Sequence, residues 1–384
     1  MPVLSISVKT TPSGQRMEHI GKFTSRLLGI QSLRGLGVLF VMSVHLYEVE
    51  RKYTLGPRLL DNWTHFFMIG VDFFLIISGL VLTLLAFGYF GDRHYLKRFT
   101  YARVTRVYPV YLLFTLAVLP VFLWQPGMFN SSEGSNINLL RSLLMLPDVN
   151  LPLIPVAWTL HHEAYFYLVF GFMLLLPQRE LPKAMFLWFM ATMVLIGMGL
   201  LTPRAEQGGF ERVLYNPINL EFLLGMVLAW WIGQGRRDHA YKALGLGVAW
   251  WVIGHLLYFQ AYGVHWIDDH WRIPALGIPA ALMTYGIVAM ELRDGRVLMP
   301  MLVKLGDAAY SIYLSHLLTM SLVGKIWRML GIEGWIPHLL FLAIATAVAI
   351  GVGMVAYQVV ERPLMRWFRR YEPPPHPTGI KQAT

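Results

Sequence analysis

Apolar stretches long enough to cross a bilayer recur along the whole chain. A transmembrane helix needs about 20 mostly apolar residues, and segments rich in charge, glycine and proline separate the apolar stretches here. The pattern therefore predicts an all-α polytopic membrane protein with about ten transmembrane helices in one bundle. The predicted spans are 27–47, 66–88, 106–124, 153–176, 184–203, 217–233, 243–261, 272–291, 307–329 and 336–360.

The distribution of positive charge predicts how this bundle is oriented. Cytoplasmic loops of membrane proteins carry an excess of Lys and Arg. With a cytoplasmic N-terminus, the predicted inner segments hold 22 of the 32 Lys and Arg residues and the outer segments hold 9. Both termini are therefore expected in the cytoplasm. We divide the chain into a cytoplasmic N-terminal segment (1–26), a transmembrane domain (27–360) and a Pro-rich cytoplasmic tail (361–384), disordered at its end.

Composition excludes several classes of site. Only 14% of the residues are charged, whereas a soluble domain carries about 25% charge. The lack of cysteine excludes disulfides, thiolate nucleophiles and cysteine-based metal sites. The net charge of +10 follows the predicted inner loops, so it indicates topology rather than nucleic-acid binding. The first span is too long for a signal-peptide core and lacks a small-residue cleavage site, so we expect it to be retained.

The first span carries two ionisable residues that need an explanation. Arg34 and His45 are eleven positions apart, which on an α-helix places them within about 20° of one face and about 16 Å apart along the axis. A charge in the bilayer costs about 2.5–3.5 kcal/mol on insertion scales and by default indicates function. The alternative is that Arg34 reaches the inner interface while His45 lies near the outer headgroups. Glu48, one turn beyond His45, either orients its imidazole or is solvated.

Three carboxylates lie deep within other predicted spans. Asp72 belongs to GVDFFLIISGL, Glu163 to VAWTLHHEAYFY and Glu221 to NPINLEFLLGM. Asp72 is expected at a depth similar to that of His45. Because an unpaired carboxylate there is costly, we expect it to pair with a cation or an imidazole, in a structural or a catalytic role. Gly70 and Gly79, in the same span, suit close packing of helices.

Two further motifs carry basic, hydroxyl and imidazole groups. YARVTRVYP holds Arg103 and Arg106 three positions apart, and such residues are neighbours on a helix face. The pair is either ordinary inner-loop charge or a polyanion site, because arginine binds phosphate through two parallel hydrogen bonds. LGDAAYSIYLSH holds Ser311, Tyr313 and His316, for which hydrogen bonding between helices is an equally good explanation.

The segment before Glu163 is dense in aromatic residues and histidine. Trp158, His161 and His162 stand within five positions, and tryptophan is a common anchor at the membrane interface. Zinc ligation is an alternative for the two histidines. Adjacent residues, however, face about 100° apart on a helix, and the H-E-x-x-H spacing of zinc sites is absent. We therefore expect no metal site.

Taken in order, these motifs resemble the membrane acyltransferase-3 family. The matches are the R-x10-H pair, GVDFFLIISG, R-x-x-R-x-Y-P, W-T-L-x-x-E, S-I-Y-L-x-H and a closing E-R-P, spread over residues 27–370. Each motif alone is weak, whereas the ordered set is specific. IQSLRG, AWTLHHEAYFY and LEFLLGM most resemble bacterial exopolysaccharide O-acetyltransferases. That branch often has W-T-L-N-Y-E, so His161 and His162 depart from its pattern at positions that bear on acceptor choice.

The resemblance implies an activity, a location and partners. Family members move an acyl group from cytoplasmic acyl-CoA to a sugar hydroxyl at or beyond the membrane. We therefore expect a multi-pass enzyme of the bacterial cytoplasmic (inner) membrane. We expect acyl-CoA, and specifically acetyl-CoA, to be its donor and a lipid-linked or polymeric carbohydrate to be its acceptor. The bilayer is the remaining partner, with no nucleic acid and no metal. Neither the sugar, the acyl length nor the oligomeric state follows from the sequence.

The resemblance also implies roles for individual residues. In the family, the histidine of the R-x10-H pair is essential, and the two arginine motifs are associated with the acyl-CoA donor. We assign as catalytic His45, Arg34, Glu163 and Asp72. We assign to the donor Arg34, Arg103, Arg106, Tyr108, Ser311 and Tyr313. We assign to the acceptor Trp158, His161, His162 and Glu221.

The chemistry favours His45 as a general base. An imidazole with an ordinary pKa of about 6.5 suits removal of a proton from an attacking hydroxyl, and Glu48, Asp72 or Glu163 is available to steer it. The phosphates of acyl-CoA are expected near the cytoplasmic face, beside Arg34, Arg103 and Arg106. The long arm of acyl-CoA that carries the thioester would then cover the distance to His45. An acyl-histidine relay is an alternative. A proton-coupled transporter that uses a relay of Asp, Glu and His is another.

Overall fold

Within residues 27–55, 58–126, 136–264 and 267–374, which a computed structural model describes, the regular structure is entirely helical. Each predicted span overlaps a long helix, so the all-α prediction is confirmed. The helices are α1 Leu28–Tyr53, α2 Ile69–Ala86, α3 Arg93–Trp124, α4 Trp158–Met173, α5 Leu181–Leu201, α6 Asn219–Gly233, α7 Ala240–Tyr262, α8 Ile278–Asp294, α9 Ala309–Leu330 and α10 Trp335–Ala356.

Shorter helical segments precede or continue several of the long helices. The 3₁₀ segments are Asn62–Met68, Pro155–Ala157, Gln178–Glu180, Pro300–Leu302 and Arg369–Tyr371. The short α-helices are Leu139–Leu143, Gly209–Leu214, Asp269–Arg272, Val303–Asp307 and Arg362–Phe368. The π-helical turns are Ile273–Gly277 and Tyr357–Glu361.

Eight helical stretches of the described chain are long and apolar enough to cross a membrane. Helices α4 and α9 are not among these eight, and α4, with 16 residues, is shorter than the usual span. The count of ten spans, the domain boundaries and the cytoplasmic placement of both termini stay predictions. Residues 1–26 and the end of the tail, 375–384, lie outside the described residues.

The chain divides into two compact units. The first unit contains residues up to Leu85 together with Asn216–Tyr357, and the second contains Ala86–Tyr215 together with the residues from Gln358 onward. Helices α1, α2 and α6 to α10 thus build the first unit, and α3 to α5 build the second. The hydropathy pattern, which predicts one bundle, does not reveal this division because it reports which stretches are apolar and not which of them pack together.

Helix α1 packs against α8, α9 and α10 in the first unit, where α7 also packs on α8. Helices α2 and α6 approach each other closely at two glycines. A Cβ atom added to Gly79 would clash with the Phe222 backbone, and one added to Gly225 would clash with the Ile76 carbonyl. Small residues permit such contact between membrane helices, so the predicted packing role of Gly79 is confirmed.

A carboxylate from α8 fixes the first turn of α1. The backbone amides of Leu28 and Gly29 each donate to Glu291 at 2.7 Å. These amides have no partner within their own helix, and a negative charge at a helix N-terminus is favourable. Glu291 therefore anchors the start of α1 to α8.

A second buried carboxylate fixes the other end of α1. Glu50 is fully buried and accepts hydrogen bonds from the amides of Leu59 and Leu60 at 2.8 and 3.0 Å. His338, in the first turns of α10, places Nε2 3.1 Å from the same carboxylate. Since buried charges are tolerated when they are paired and hydrogen-bonded, Glu50 ties α1 to the following loop and to α10.

In the second unit, α3 packs against α4 and against the short helix Arg362–Phe368. Asp92 caps α3 by accepting a hydrogen bond from the His94 amide at 2.7 Å, an ordinary use of aspartate at a helix start. Arg98 forms an ion pair with Glu372 at 2.8 Å. The beginning of the tail is thus held on the same unit as α3.

Candidate active site

Helix α1 presents Arg34 and His45 on one side because it is continuous from Leu28 to Tyr53. The Arg34 side chain is half-buried and places Nη1 3.5 Å from Oε1 of Gln31, one turn earlier. His45 is also half-buried and lies against His316 of α9, with ring centroids 5.2 Å apart. The two histidines come from segments far apart in sequence that the fold of the first unit brings together.

Three aromatic rings of the first unit form a chain of contacts that we call the histidine cluster, defined as His45, Tyr313 and His316. The ring of His316 is fully buried and lies 5.9 Å from that of Tyr313. Tyr313 in turn meets Phe74 of α2 at 5.9 Å. Ser311 is fully buried on the same helix, and its carbonyl accepts from Ser315. The donor roles assigned to Tyr313 and Ser311 stay predictions.

Glu48 has another partner than the one expected. Its carboxylate forms an ion pair with Arg51 at 2.8 Å, and both side chains are partly exposed. A residue three positions away on the same helix is an easy partner, and this pair gives the Glu48 charge a local explanation. This contact favours the solvated alternative, and an orienting role for Glu48 stays a prediction.

Asp72 pairs with a cation, as expected, and the cation is Arg272. The Arg272 guanidinium lies 3.0 Å from Asp72 and 3.5 Å from Glu221, and all three side chains are buried. We call these residues the acidic–arginine triad. Arg272 ends the short helix before the π-turn Ile273–Gly277. The triad gives both carboxylates a structural partner, while their assigned catalytic and acceptor roles stay predictions.

The second unit contains a cavity of about 420 Å³ between α3 and α4, within the size range of small-molecule sites. Arg103, Tyr108 and Glu163, all predicted site residues, line it together with Tyr167, and most of the remaining lining is apolar. Glu163 accepts a hydrogen bond from Tyr167. Arg103 Nε is buried and has no hydrogen-bond partner among the described residues.

Arg106 does not line this cavity; its guanidinium lies 3.9 Å from the sulfur of Met365. Tyr108 donates to the Leu143 carbonyl at 3.0 Å. Arg103, Tyr108 and Glu163 therefore share one cavity, whereas Arg106 points to the short helix that follows α10. An unpartnered buried guanidinium nitrogen is costly, so the lining is chemically suited to a ligand that accepts a hydrogen bond from Arg103.

The aromatic and histidine residues before Glu163 form the first turns of α4. The rings of Trp158 and His162 meet edge to face at 5.7 Å. His161 and His162 are both buried, and neither lines the cavity. Over the described ranges, no cluster of three histidine or acidic residues could hold a metal ion. Acceptor recognition by Trp158, His161 and His162 stays a prediction.

Comparison with known proteins identifies the family. Residues 27–357 match the model of the acyltransferase-3 family, described as an acyltransferase domain. The chain belongs to this family. It is 29% identical over 315 residues to the "Exopolysaccharide production protein ExoZ" of Rhizobium meliloti (strain 1021), covering 77% of this chain and 89% of that protein.

A second relative of this acyltransferase covers more of its chain but is more distant. The "Putative O-acetyltransferase SACOL0978" of Staphylococcus aureus (strain COL) is 22% identical over 372 residues, which is 88% of this chain and 57% of that protein. No solved structure matches the sequence. The long apolar helices and the family together establish a multi-pass membrane acyltransferase.

Sequence reasoning about this acyltransferase assigned no site role to Arg272, Tyr167 or His316. Arg272 stands at the edge of a predicted span and counts as an ordinary loop charge, although an arginine that flanks a span is a candidate partner for Asp72. Tyr167 lies four positions after Glu163, a spacing that places the two on one helix face. His316 meets His45 across a sequence separation that no local pattern reveals.

Proposed function

We propose that the protein transfers an acyl group from acyl-CoA to a hydroxyl of an exported or cell-envelope carbohydrate at the bacterial inner membrane. The acyl group that we expect is acetyl. His45 acts as the general base. The observation that supports this assignment is the half-buried position of His45 on an unbroken membrane-length helix, against a second histidine. The family and the named relatives favour sugar O-acylation.

The proposed step moves one proton and exchanges one bond. His45 removes the proton of the acceptor hydroxyl as its oxygen attacks the thioester carbonyl carbon. The C–S bond breaks, an ester forms, and the proton returns from His45 to the sulfur of CoA. General-base assistance of this kind typically accelerates a reaction by about 10²–10⁴-fold. In the relay alternative, His45 carries the acyl group itself before the hydroxyl attacks.

The donor carries phosphates, so its site requires cations and hydrogen-bond donors. Arg103 borders a cavity, and its buried Nε has no hydrogen-bond partner in the part of the chain that the structure describes. These observations support a role in anion binding. Arg34 and Arg106 are proposed for the same role from the family resemblance alone. The layered arrangement expected from the sequence includes residues of both units and stays a prediction.

The test uses the purified protein in nanodiscs, labelled acetyl-CoA and the lipid-linked or polymeric saccharides of the source organism. We expect His45→Ala to lower transfer by at least about 10²-fold, with the donor Kd unchanged. His270→Ala, at an exposed histidine, is the matched control and should retain full activity. Normal transfer by His45→Ala would overturn the assignment.

Donor binding is measured separately for the arginines. Removing a charge-assisted hydrogen bond costs about 1.5–3 kcal/mol, so Arg103→Ala should weaken acetyl-CoA binding by about 10–150-fold while His45→Ala leaves it intact. Arg179→Ala, at an exposed arginine of the same unit, is the control. An unchanged Kd for Arg103→Ala would remove this residue from the donor site. Exchange of label between acetyl-CoA and CoA without acceptor would favour the acyl-histidine relay.

The transporter alternative is weakened by the contacts of the deep carboxylates. Asp72 and Glu221, which a proton relay would use, are both paired with Arg272. A transporter would acidify or alkalise the lumen of proteoliposomes when given its substrate, without consuming acetyl-CoA. Covalent acylation of the saccharide, seen by mass spectrometry only in cells that contain the protein, would decide for the enzyme.

A further inference from the structure

His316 has a defined orientation that its hydrogen bonds impose. Its Nδ1 lies 2.7 Å from the Tyr313 carbonyl oxygen and 3.2 Å from that of Ile312. A carbonyl oxygen only accepts hydrogen bonds, so Nδ1 must carry the proton and donate it. In the neutral imidazole, Nε2 is then the nitrogen with the free lone pair. The backbone of α9 thus fixes both the ring plane and the tautomer.

This arrangement does not serve to join helices. Both carbonyls belong to α9 itself, three and four positions before His316, so the Nδ1 bond holds no neighbouring helix. Nε2 is buried and has no hydrogen-bond partner among the described residues. A buried acceptor left without a donor costs about 1–3 kcal/mol. A side chain that is kept in this state needs a reason other than stability.

The ring of His316 lies against that of His45. The two rings are 5.2 Å apart at their centroids and inclined by 45°, a separation that a direct hydrogen bond or one bridging water spans. Catalytic hydrogen bonds are often long before substrate binds and shorten in the complex. The ring of Tyr313 also lies against that of His316, with centroids 5.9 Å apart.

We propose that His316 is a positioning residue for His45. Its Nε2 accepts a hydrogen bond from one ring N–H of His45, which leaves the lone pair of the other His45 nitrogen free to remove the proton of the acceptor hydroxyl. The proposal rests on the proposed function. It gives His316 the part that an orienting carboxylate has in other catalytic triads, with a neutral acceptor that suits a buried site in the membrane.

The test compares three replacements at the same position. His316→Leu removes the acceptor, His316→Gln supplies an amide oxygen near the place of Nε2, and His316→Asn keeps a group near Nδ1 only. Loss of an orienting partner typically costs about 10–100-fold. We expect His316→Leu and His316→Asn to lower kcat by that factor with the KM for acetyl-CoA within about twofold, and His316→Gln to recover at least a part of kcat.

A double variant distinguishes positioning from folding. Because the two histidines act as one unit, His45→Ala with His316→Leu should be no slower than His45→Ala alone. Full kcat in His316→Leu would overturn the proposal. So would equal losses in the Leu, Asn and Gln variants together with a lowered Tm, which indicate a structural role. Full activity of His45→Ala would overturn the proposed function itself, and His45→Ala is measured before any His316 variant. Failure of the proposed function is thereby distinguished from failure of the role proposed for His316.

Discussion

The acidic–arginine triad makes a specific prediction about stability. In Arg272→Ala, Asp72 and Glu221 would remain in a fully buried site without their shared cation. At an effective dielectric constant of about 20, two unit charges at these distances attract by about 5 kcal/mol. Desolvation offsets much of that attraction in the intact triad, but truncation removes the attraction and leaves the carboxylates buried.

The expected loss follows from the measured behaviour of buried ion pairs. Removing one partner of a buried pair costs about 3–5 kcal/mol. For a unit of 150–250 residues, in which 1 kcal/mol corresponds to about 2–4 °C, Arg272→Ala should lower Tm by about 6–20 °C. The melting of the nanodisc-embedded protein is followed through its 13 tryptophans.

Two further variants isolate the cause. The triple variant Asp72→Asn, Glu221→Gln and Arg272→Gln removes every charge while keeping polar groups of similar size, so it should melt closer to the wild type than Arg272→Ala does. Arg293→Ala breaks an exposed pair with Asp294 and should leave Tm nearly unchanged, because surface pairs contribute little. A wild-type Tm in Arg272→Ala, or a triple variant that melts no higher than the single one, would refute the reasoning.

Two other contacts in the first unit give further predictions. Gly79→Val should abolish the close approach of α2 to the Phe222 backbone and lower Tm by several degrees. Gly197→Ala, where no atom lies within 4 Å of the added methyl group, should be neutral or stabilising. Equal Tm values for the two variants would contradict the packing role of Gly79. Glu50→Ala should release the loop amides and His338 and speed hydrogen exchange at Leu59, and unchanged exchange there would refute the anchoring role.

The sequence reveals the helices more completely than their contacts. Long apolar runs report helix existence reliably because each run must bury its own backbone polar groups in a helix to enter the bilayer. The same reasoning correctly predicts that Asp72 has a charged partner, since the cost of a lone carboxylate depends only on its surroundings. Its partner Arg272 is 200 positions away, and no local pattern specifies which cation of the chain it is.

The candidate site is predictable to a similar extent. Motif order and membrane cost indicate His45, Arg103 and Glu163 as residues of interest. The tautomer of His316 follows from which backbone carbonyls its Nδ1 meets, and that is a property of side-chain conformation rather than of spacing. Spacing does identify the partner of Glu48, because Arg51 stands three positions further along the same helix.

Helix α1 is anchored at both ends, and these anchors explain how the position of His45 is fixed. Its start is anchored to α8 by Glu291 and its end to α10 and the adjoining loop by Glu50. With both ends fixed by buried or half-buried carboxylates, α1 has little freedom to slide or rotate against α9. These contacts, at Leu28, Gly29 and Glu50, lie more than one turn from His45 on either side and help to fix its distance from His316. Weakening either anchor should slow the transfer step even though neither carboxylate touches the histidines, and Glu50→Ala with intact acetyl-CoA binding but reduced kcat is the result that would demonstrate it.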